Sequence, residues 1–202
     1  MIYTIKKGNP QLAPLLLLHG TGGDENSLLE LGRLLAPEAT LISLRGTINE
    51  GGANRFFKRY GEGQFDLDDL EKQTDLLLTT LTNISEQEQV DLKELVIVGY
   101  SNGANIGAHL LLERESPYRR GIFFHGMSLG RHLKHHDLAL TKIWFSKGKS
   151  DPIVSEAAAL ALVTAFEKRQ AEVTTFWLPS GHQLVYAEVE AAKAWLDAGG
   201  SV

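Results

Sequence analysis

Ser101 stands in the run Gly99-Tyr100-Ser101-Asn102-Gly103, with a glycine two residues away on either side. The apolar run Leu95 to Val98 precedes it, and a helical pattern opens at Asn102. In a sharp strand-turn-helix the chain before and after the central residue comes so close that side chains at the two flanking positions would collide, so only very small residues fit. Such a turn strains the central residue, lifts its hydroxyl clear of the sheet, and turns the following amide N–H toward a reacting carbonyl. The bare five-residue pattern is common, and its plain alternative is a glycine-rich turn at a strand end. The strand before it and the helix after it make Ser101 a candidate nucleophile.

A serine hydroxyl needs a base to take its proton, usually a histidine oriented by a carboxylate. When the nucleophile sits on a strand-to-helix turn of this kind, the acid and then the base follow downstream, each on a loop at the carboxyl end of a strand. Asp151 fits the first position, reached from the apolar run Ile143 to Ser146 through Lys147-Gly148-Lys149-Ser150. His182 fits the second, after Val173 to Leu178 and Pro179-Ser180-Gly181. Each taken alone reads as a turn residue or a surface histidine; the order Ser, Asp, His joins them. Asp137 and Glu156 are fallback acids. Upstream, Leu15 to Leu18 runs into His19-Gly20-Thr21-Gly22-Gly23, a loop that exposes backbone amides. The amides of Thr21 and Asn102 are therefore the two candidate donors to the negative charge of an acyl-transfer intermediate, while His19 reads as structural.

These residues need a scaffold that brings strand ends together. Strand-length apolar runs alternate with longer helical patterns, the mark of a mostly parallel sheet covered on both faces. Strands are predicted at Met1 to Lys7, Leu12 to Leu18, Thr40 to Leu44, Leu95 to Val98, Gly121 to His125, Ile143 to Ser146 and Val173 to Leu178. Leu15-Leu16-Leu17-Leu18 and Leu95-Val96-Ile97-Val98 are apolar on both faces, as central parallel strands must be. Capping boxes are predicted at Ser27 with Glu30 and, more loosely, at Asp66 with Asp69. Leu67, Leu70, Leu77, Leu78 and Leu81 follow at helical spacing, and further helices are predicted over Asn102 to Arg114, Ser155 to Arg169 and Val185 to Asp197. Residues 1–202 read as one domain, without repeat or linker.

Arg45 to Phe65 breaks the alternation. It is long, carries five glycines, and includes Arg55, Phe56, Phe57, Lys58, Arg59 and Tyr60. Loops of this length in a compact domain are often functional, and this one leaves the carboxyl end of a strand, where open α/β sheets bind ligands. It reads as a substrate wall or, failing that, a surface excursion.

The chain has 202 residues, a net charge of −5 and scattered basic residues, which argues against a nucleic-acid partner. No signal peptide or membrane span is read, and the absence of cysteine suits a reducing compartment, so a cytoplasmic location is expected. Gly20-Thr21-Gly22-Gly23 lacks the spacing of a dinucleotide fingerprint, and Gly148-Lys149-Ser150 lacks the first glycine of a phosphate loop, since residue 143 is isoleucine. His132, His135 and His136 could hold a metal but read better as a solvated loop. No cofactor or metal is expected.

The runs Leu-Leu-His19-Gly-Thr-Gly-Gly-Asp24-Glu25, Arg45-Gly, Arg55-Phe-Phe, Gly99-Tyr-Ser101-Asn-Gly103-Ala-Asn105, Asp151-Pro and Gly181-His182 together resemble the phospholipase/carboxylesterase family of small bacterial α/β hydrolases, relatives of acyl-protein thioesterases. The resemblance covers nearly the whole chain. It implies an α/β-hydrolase fold without a cap domain, a cofactor-free esterase with Ser101, Asp151 and His182 as its triad, and substrate contact from Arg55, Phe56, Phe57 and Tyr60. Serine at the nucleophile position favours ester or thioester hydrolysis over the chemistry of related branches with cysteine or aspartate there. The expected partner is a small-molecule ester, met by a monomer or homodimer; S-acyl thioesterase, lysophospholipase and a ligand-binding protein with little turnover are the alternatives.

Overall fold

The computed structural model describes residues 1–61 and 63–200. Glu62, inside the predicted loop, and Ser201 and Val202, at the end of the predicted domain, lie outside the described residues. Seven strands form one sheet: β1 (Ile2–Lys6), β2 (Leu15–Leu18), β3 (Leu41–Arg45), β8 (Val96–Tyr100), β9 (Arg120–Phe124), β10 (Lys142–Gly148) and β11 (Glu172–Leu178). Their spatial order is β1-β3-β2-β8-β9-β10-β11. Only β1 runs antiparallel, against β3; every other pairing is parallel. Each predicted strand is present, within a few residues. The largest trim is at β2, which begins after Pro14 because proline has no N–H for a central ladder.

Alternation along β2 sets the two layers. Leu16 and Leu18 join the core under α2 (Leu67–Glu88), α3 (Asn102–Glu113) and α4 (Glu156–Glu167). Leu15 and Leu17 join the core under α1 (Leu29–Leu35) and α5 (Tyr186–Asp197). All four leucines are fully buried, as a strand covered on both faces requires. The stripe read along α2 faces the first core through Leu70, Leu77 and Leu81.

The caps differ from expectation. Asp66 caps α2 by accepting from Asp69 N–H at 3.0 Å, but Asp69 does not reciprocate: its carboxylate accepts from Lys58 N–H at 2.8 Å instead. The box at Ser27 does not form. Ser27 bonds back to Asp24, accepting from its N–H at 2.8 Å and donating to its carboxylate at 3.1 Å, and α1 starts two residues later without a side-chain cap. That local turn outcompetes the helix end for the hydroxyl.

The stretch from Arg45 to Phe65 is two short hairpins, not an irregular loop: β4 (Ile48–Glu50) with β5 (Ala53–Arg55), and β6 (Arg59–Gly61) with β7 (Gln64–Phe65). After β2 the chain turns toward β3 with its helix on one face, and after β8 toward β9 with α3 on the other. The crevice between the carboxyl ends of β2 and β8 is thus a topological switch point, where open α/β sheets bind ligands. Residues 125–141, between β9 and β10, contain neither helix nor strand, so no cap is inserted there.

Candidate active site

Ser101 follows β8, the middle strand of the sheet, and is the N-cap of α3. Its backbone takes φ 52° and ψ −112°, a region that costs a non-glycine residue roughly 1–3 kcal/mol. Two hydrogen bonds hold it there: Ser101 N–H to Phe124 O at 2.9 Å, and Asn105 N–H to Ser101 O at 3.0 Å. Gly99 is needed as expected, since a β-carbon there would lie 2.6 Å from Gly103 O and from the Ala104 backbone. Gly103 is needed for a different reason: its β-carbon would lie 2.0 Å from Leu18 O, so it lets α3 press against the end of β2.

His182 Nε2 is 2.9 Å from Ser101 Oγ, and His182 Nδ1 is 2.7 Å from Asp151 Oδ2. A carboxylate only accepts, so Nδ1 carries the proton and Nε2 presents its lone pair to the serine hydroxyl. The Asp151 side chain is fully buried. Burial pushes its carboxyl upward, but N–H bonds from Val154 at 3.0 Å and Ile153 at 2.8 Å, with the bond from His182, outweigh that and hold it below the ordinary carboxylate range. The loops that carry the two residues are laced together by Lys149 N–H to Leu178 O at 2.8 Å and Ser150 N–H to Ser180 O at 3.0 Å. Asp137 and Glu156, the fallback acids, have no contact with His182: Asp137 accepts from Ala139 N–H and Glu156 sits in the first turn of α4.

The amides of Thr21 and Asn102 have no acceptor among the described residues, and both residues line the same cleft as Ser101 and His182. The Asn102 amide also lies at the positive end of α3. Around Thr21 the loop is pinned from several sides. Gly22 N–H donates to Asn54 O at 2.8 Å, and Asn54 Nδ2 donates to Gly23 O at 2.9 Å. Arg45 forms a two-pronged pair with Glu25, at 2.5 and 2.7 Å. His19 is spent on backbone: its Nε2 accepts from Gly46 N–H at 3.0 Å and its Nδ1 meets Gly20 O at 2.6 Å. Burial holds the His19 imidazole below its ordinary value, which keeps that accepting nitrogen free.

The cleft encloses about 410 Å³. Of the four residues expected to contact substrate, only Arg55 lines it. Phe56 and Phe57 are a correction: both are fully buried in the core, Phe56 against His19 with ring centroids 4.7 Å apart and Phe57 against Phe65 at 5.8 Å. They follow β5 and precede β6 in the chain, so their buried rings anchor both hairpins to the core. Tyr60 is 77% exposed and faces a separate shallow depression with Glu50 and Arg59. Arg59 and Phe65, from the stretch read as a substrate wall, line it as well, and so do three residues not anticipated: Met127, Ile153 and Val154. The sequence signal available for these three was only their place just after the carboxyl end of β9 or just after Asp151.

A buried network also lies behind Asp151. His125, at φ 52° after β9, points Nδ1 at Asp151 Oδ2 (3.3 Å) and Nε2 at Glu188 Oε1 (3.1 Å). Glu188 accepts in addition from Ser146 Oγ at 2.7 Å and Val185 N–H at 2.8 Å. Tyr100 braces His182 from the side, donating its hydroxyl to His182 O at 2.9 Å. His125, Asp151 and His182 are the group of candidate metal-ligand atoms found among the described residues; its nitrogens and Oδ2 are engaged with one another, with Glu188 or with Ser101. The histidines of the 132–136 segment do not converge in this way: His132 Nε2 meets Ser128 Oγ at 2.8 Å and His136 Nε2 meets Leu111 O at 3.2 Å.

A serine on a strained strand-to-helix turn at the switch point of a mostly parallel sheet, backed by histidine and a buried carboxylate, defines an α/β hydrolase of the serine-hydrolase class. Comparison with known proteins narrows it. The phospholipase/carboxylesterase family model matches residues 2–199, and the chain belongs to that family. Putative hydrolase MhqD of Bacillus subtilis (strain 168) is 39% identical over 181 residues, 90% of this chain and 90% of that protein. The crystal structure of a carboxylesterase from Bacillus cereus superposes with a TM-score of 0.94 at 39% identity, covering 97% of this chain and 93% of that one. The structure of YahD with malic acid gives a TM-score of 0.91 at 36% identity, with 98% of each chain covered. The protein is an ester-cleaving hydrolase of the carboxylesterase type.

Proposed function

We propose that this protein is a carboxylesterase that hydrolyses esters of short or modest acyl chains through an acyl-enzyme on Ser101. His182 takes the serine proton as Oγ attacks the carbonyl, and returns it to the departing alcohol; it then activates water, which releases the acid and regenerates Ser101. Asp151 holds His182 in the working tautomer and stabilises the imidazolium formed in each step. The Thr21 and Asn102 amides receive the carbonyl oxygen as it becomes negative. The observation that carries the reading is the unbroken line Ser101 Oγ, His182 Nε2, His182 Nδ1, Asp151 Oδ2, at 2.9 and 2.7 Å, in a cleft that also presents two amides without acceptors.

Phe65, Met127, Ile153 and Val154 supply apolar wall for a small acyl or alcohol group, with Arg55 beside them. YahD, 36% identical, has a structure with malic acid, and a small carboxylic acid is of a size that this cleft admits. Ser101→Ala is expected to lower kcat on p-nitrophenyl butyrate by roughly 10⁴-fold or more and to abolish labelling by a fluorophosphonate probe. A folded variant that keeps its turnover rules the mechanism out; unlabelled wild type with no turnover leaves an inert binding protein instead.

A further inference from the structure

Among the described residues, the cleft carries more positive charge than its walls neutralise. Arg55, at the end of β5, is only 3% exposed yet lines the cleft, and Arg59 lines it too. Arg55 Nη1 donates to Thr21 Oγ1 at 2.7 Å and its Nε to Phe57 O at 3.3 Å. Its remaining terminal nitrogen, Nη2, has no acceptor among the described residues and is not sealed from solvent. Among the described residues, Glu50 is the carboxylate paired with this guanidinium, its Oε1 3.7 Å from Arg55 Nε. Glu50 is shared, since it also accepts from Arg59 Nε at 3.0 Å and Arg59 N–H at 3.2 Å. Two guanidinium groups thus divide one carboxylate. Burial, and next the charge of Arg59, pull Arg55 below its ordinary value, while Glu50 opposes them.

A buried guanidinium is costly unless its donors and its charge are met, and a planar fork with a free terminal nitrogen is the geometry that takes a carboxylate. We propose that Arg55, seconded by Arg59, forms a carboxylate-binding subsite, and that the ester this enzyme cleaves bears a free carboxylate on its acyl or its alcohol part. The substrates are then monoesters of short dicarboxylic acids, or acyl esters of hydroxy acids, with the apolar wall of Phe65, Met127, Ile153 and Val154 accepting the carbon chain between. The inference rests on Ser101 being the nucleophile of this cleft. Arg55 has a second task, holding Thr21 in place, so loss of activity alone would not distinguish the two.

The test compares matched esters. On the acyl side, mono-p-nitrophenyl glutarate is set against p-nitrophenyl pentanoate; on the alcohol side, 4-acetoxybenzoate against 4-acetoxybenzamide. Wild type should favour the anionic member in one pair by about tenfold or more in kcat/KM, the scale of one charged hydrogen bond, and that pair identifies which part carries the acid. Arg55→Met should lower the anionic-to-neutral ratio by about 10- to 100-fold, and Glu50→Gln, which frees positive charge at a half-buried position, should raise it. A purely supporting role for Arg55 would lower both members alike. Wild type that hydrolyses the neutral esters through Ser101 but shows no anionic preference, or ratios unmoved by both variants, overturns the subsite and leaves the esterase mechanism standing. Turnover of the neutral esters that survives Ser101→Ala overturns both.

Discussion

Gly103→Ala tests the geometry that joins the two halves of the site. An added β-carbon would stand 2.0 Å from Leu18 O, 2.4 Å from Leu18 C and 2.6 Å from His19 O. Ordinary contact begins at 3.4 Å, so α3 and the end of β2 would have to part by about 1.4 Å. All three atoms are backbone and cannot rotate aside, and Leu18 is held in the β2–β3 and β2–β8 ladders. The separation would fall between Thr21, carried by the loop after β2, and Ser101 with Asn102, carried by the start of α3. Active-site groups must hold to within about 0.5 Å, and misplacement by about 1 Å costs on the order of 10²-fold. kcat/KM on p-nitrophenyl butyrate should therefore fall by about 10²-fold or more, with about 1–3 kcal/mol lost in urea unfolding from overpacking. Gly107→Ala, one helical turn on, is the control. There the new carbon meets Ile97 Cγ2 at 2.9 Å, Phe123 Cε1 at 3.0 Å and Leu18 Cδ1 at 3.3 Å, side-chain atoms and no backbone, so the strain falls on core packing and activity should stay within about threefold. A folded Gly103→Ala enzyme with the activity of Gly107→Ala would refute the reasoning.

Glu188→Ala strips acceptors from the buried His125 and Ser146 and from the part-buried Val185 N–H together, and should cost about 3–5 kcal/mol in urea unfolding. Glu188→Gln keeps an oxygen toward Val185 and His125 and should cost less than half of that; equal losses would show that charge, not hydrogen bonding, matters there. Glu113 offers a pH test. Burial raises its carboxyl, but the Lys134 N–H, Arg169 and the Leu133 N–H outweigh burial and hold it below its ordinary value. The folded state then binds fewer protons than the unfolded one, so this stabilisation is complete above the unfolded pKa of 4.5 and is lost as pH falls below it, through the folded value. The urea midpoint should drop on acidification below pH 4.5, and Glu113→Gln should reduce that drop; an unchanged slope would remove Glu113 from the account.

Where the chemistry depended on backbone shape, it was legible in the chain. Glycines flanking a serine between an apolar strand and a helix can be read directly because sterics at that turn admit little else, although the partner that Gly103 avoids is β2, not residue 99. Strand ends that carry an acid and then a histidine were equally readable, since parallel strands place consecutive loops at one edge. The strands themselves stood out because Leu15–Leu18 and Leu95–Val98 must be apolar on both faces. Helix starts were less readable: Ser27 and Asp69 each had a second partner, Asp24 and Lys58, that no spacing rule ranks below the helix.

The misread side chains share one cause. Phe56 and Phe57 sit in a segment rich in glycine and charge, which suggested an exposed wall, yet aromatic rings in such a segment are what tie it to the core. Because the rings point inward, the polar residues around them are left to face the cleft, and Arg55 and Arg59 do so. The network behind Asp151 was hidden for the opposite reason. His125 and Glu188 are 63 residues apart, on β9's end and on α5, and each looks ordinary in its own neighbourhood. Their meeting depends on the order β9-β10-β11 bringing the end of β9 beside the Asp151 loop, and on α5 crossing back over that edge. A constellation made by strand order and a returning helix leaves no local mark, whereas one made by a turn does; the candidate nucleophile is therefore the most readable part of such a site and its outer support the least.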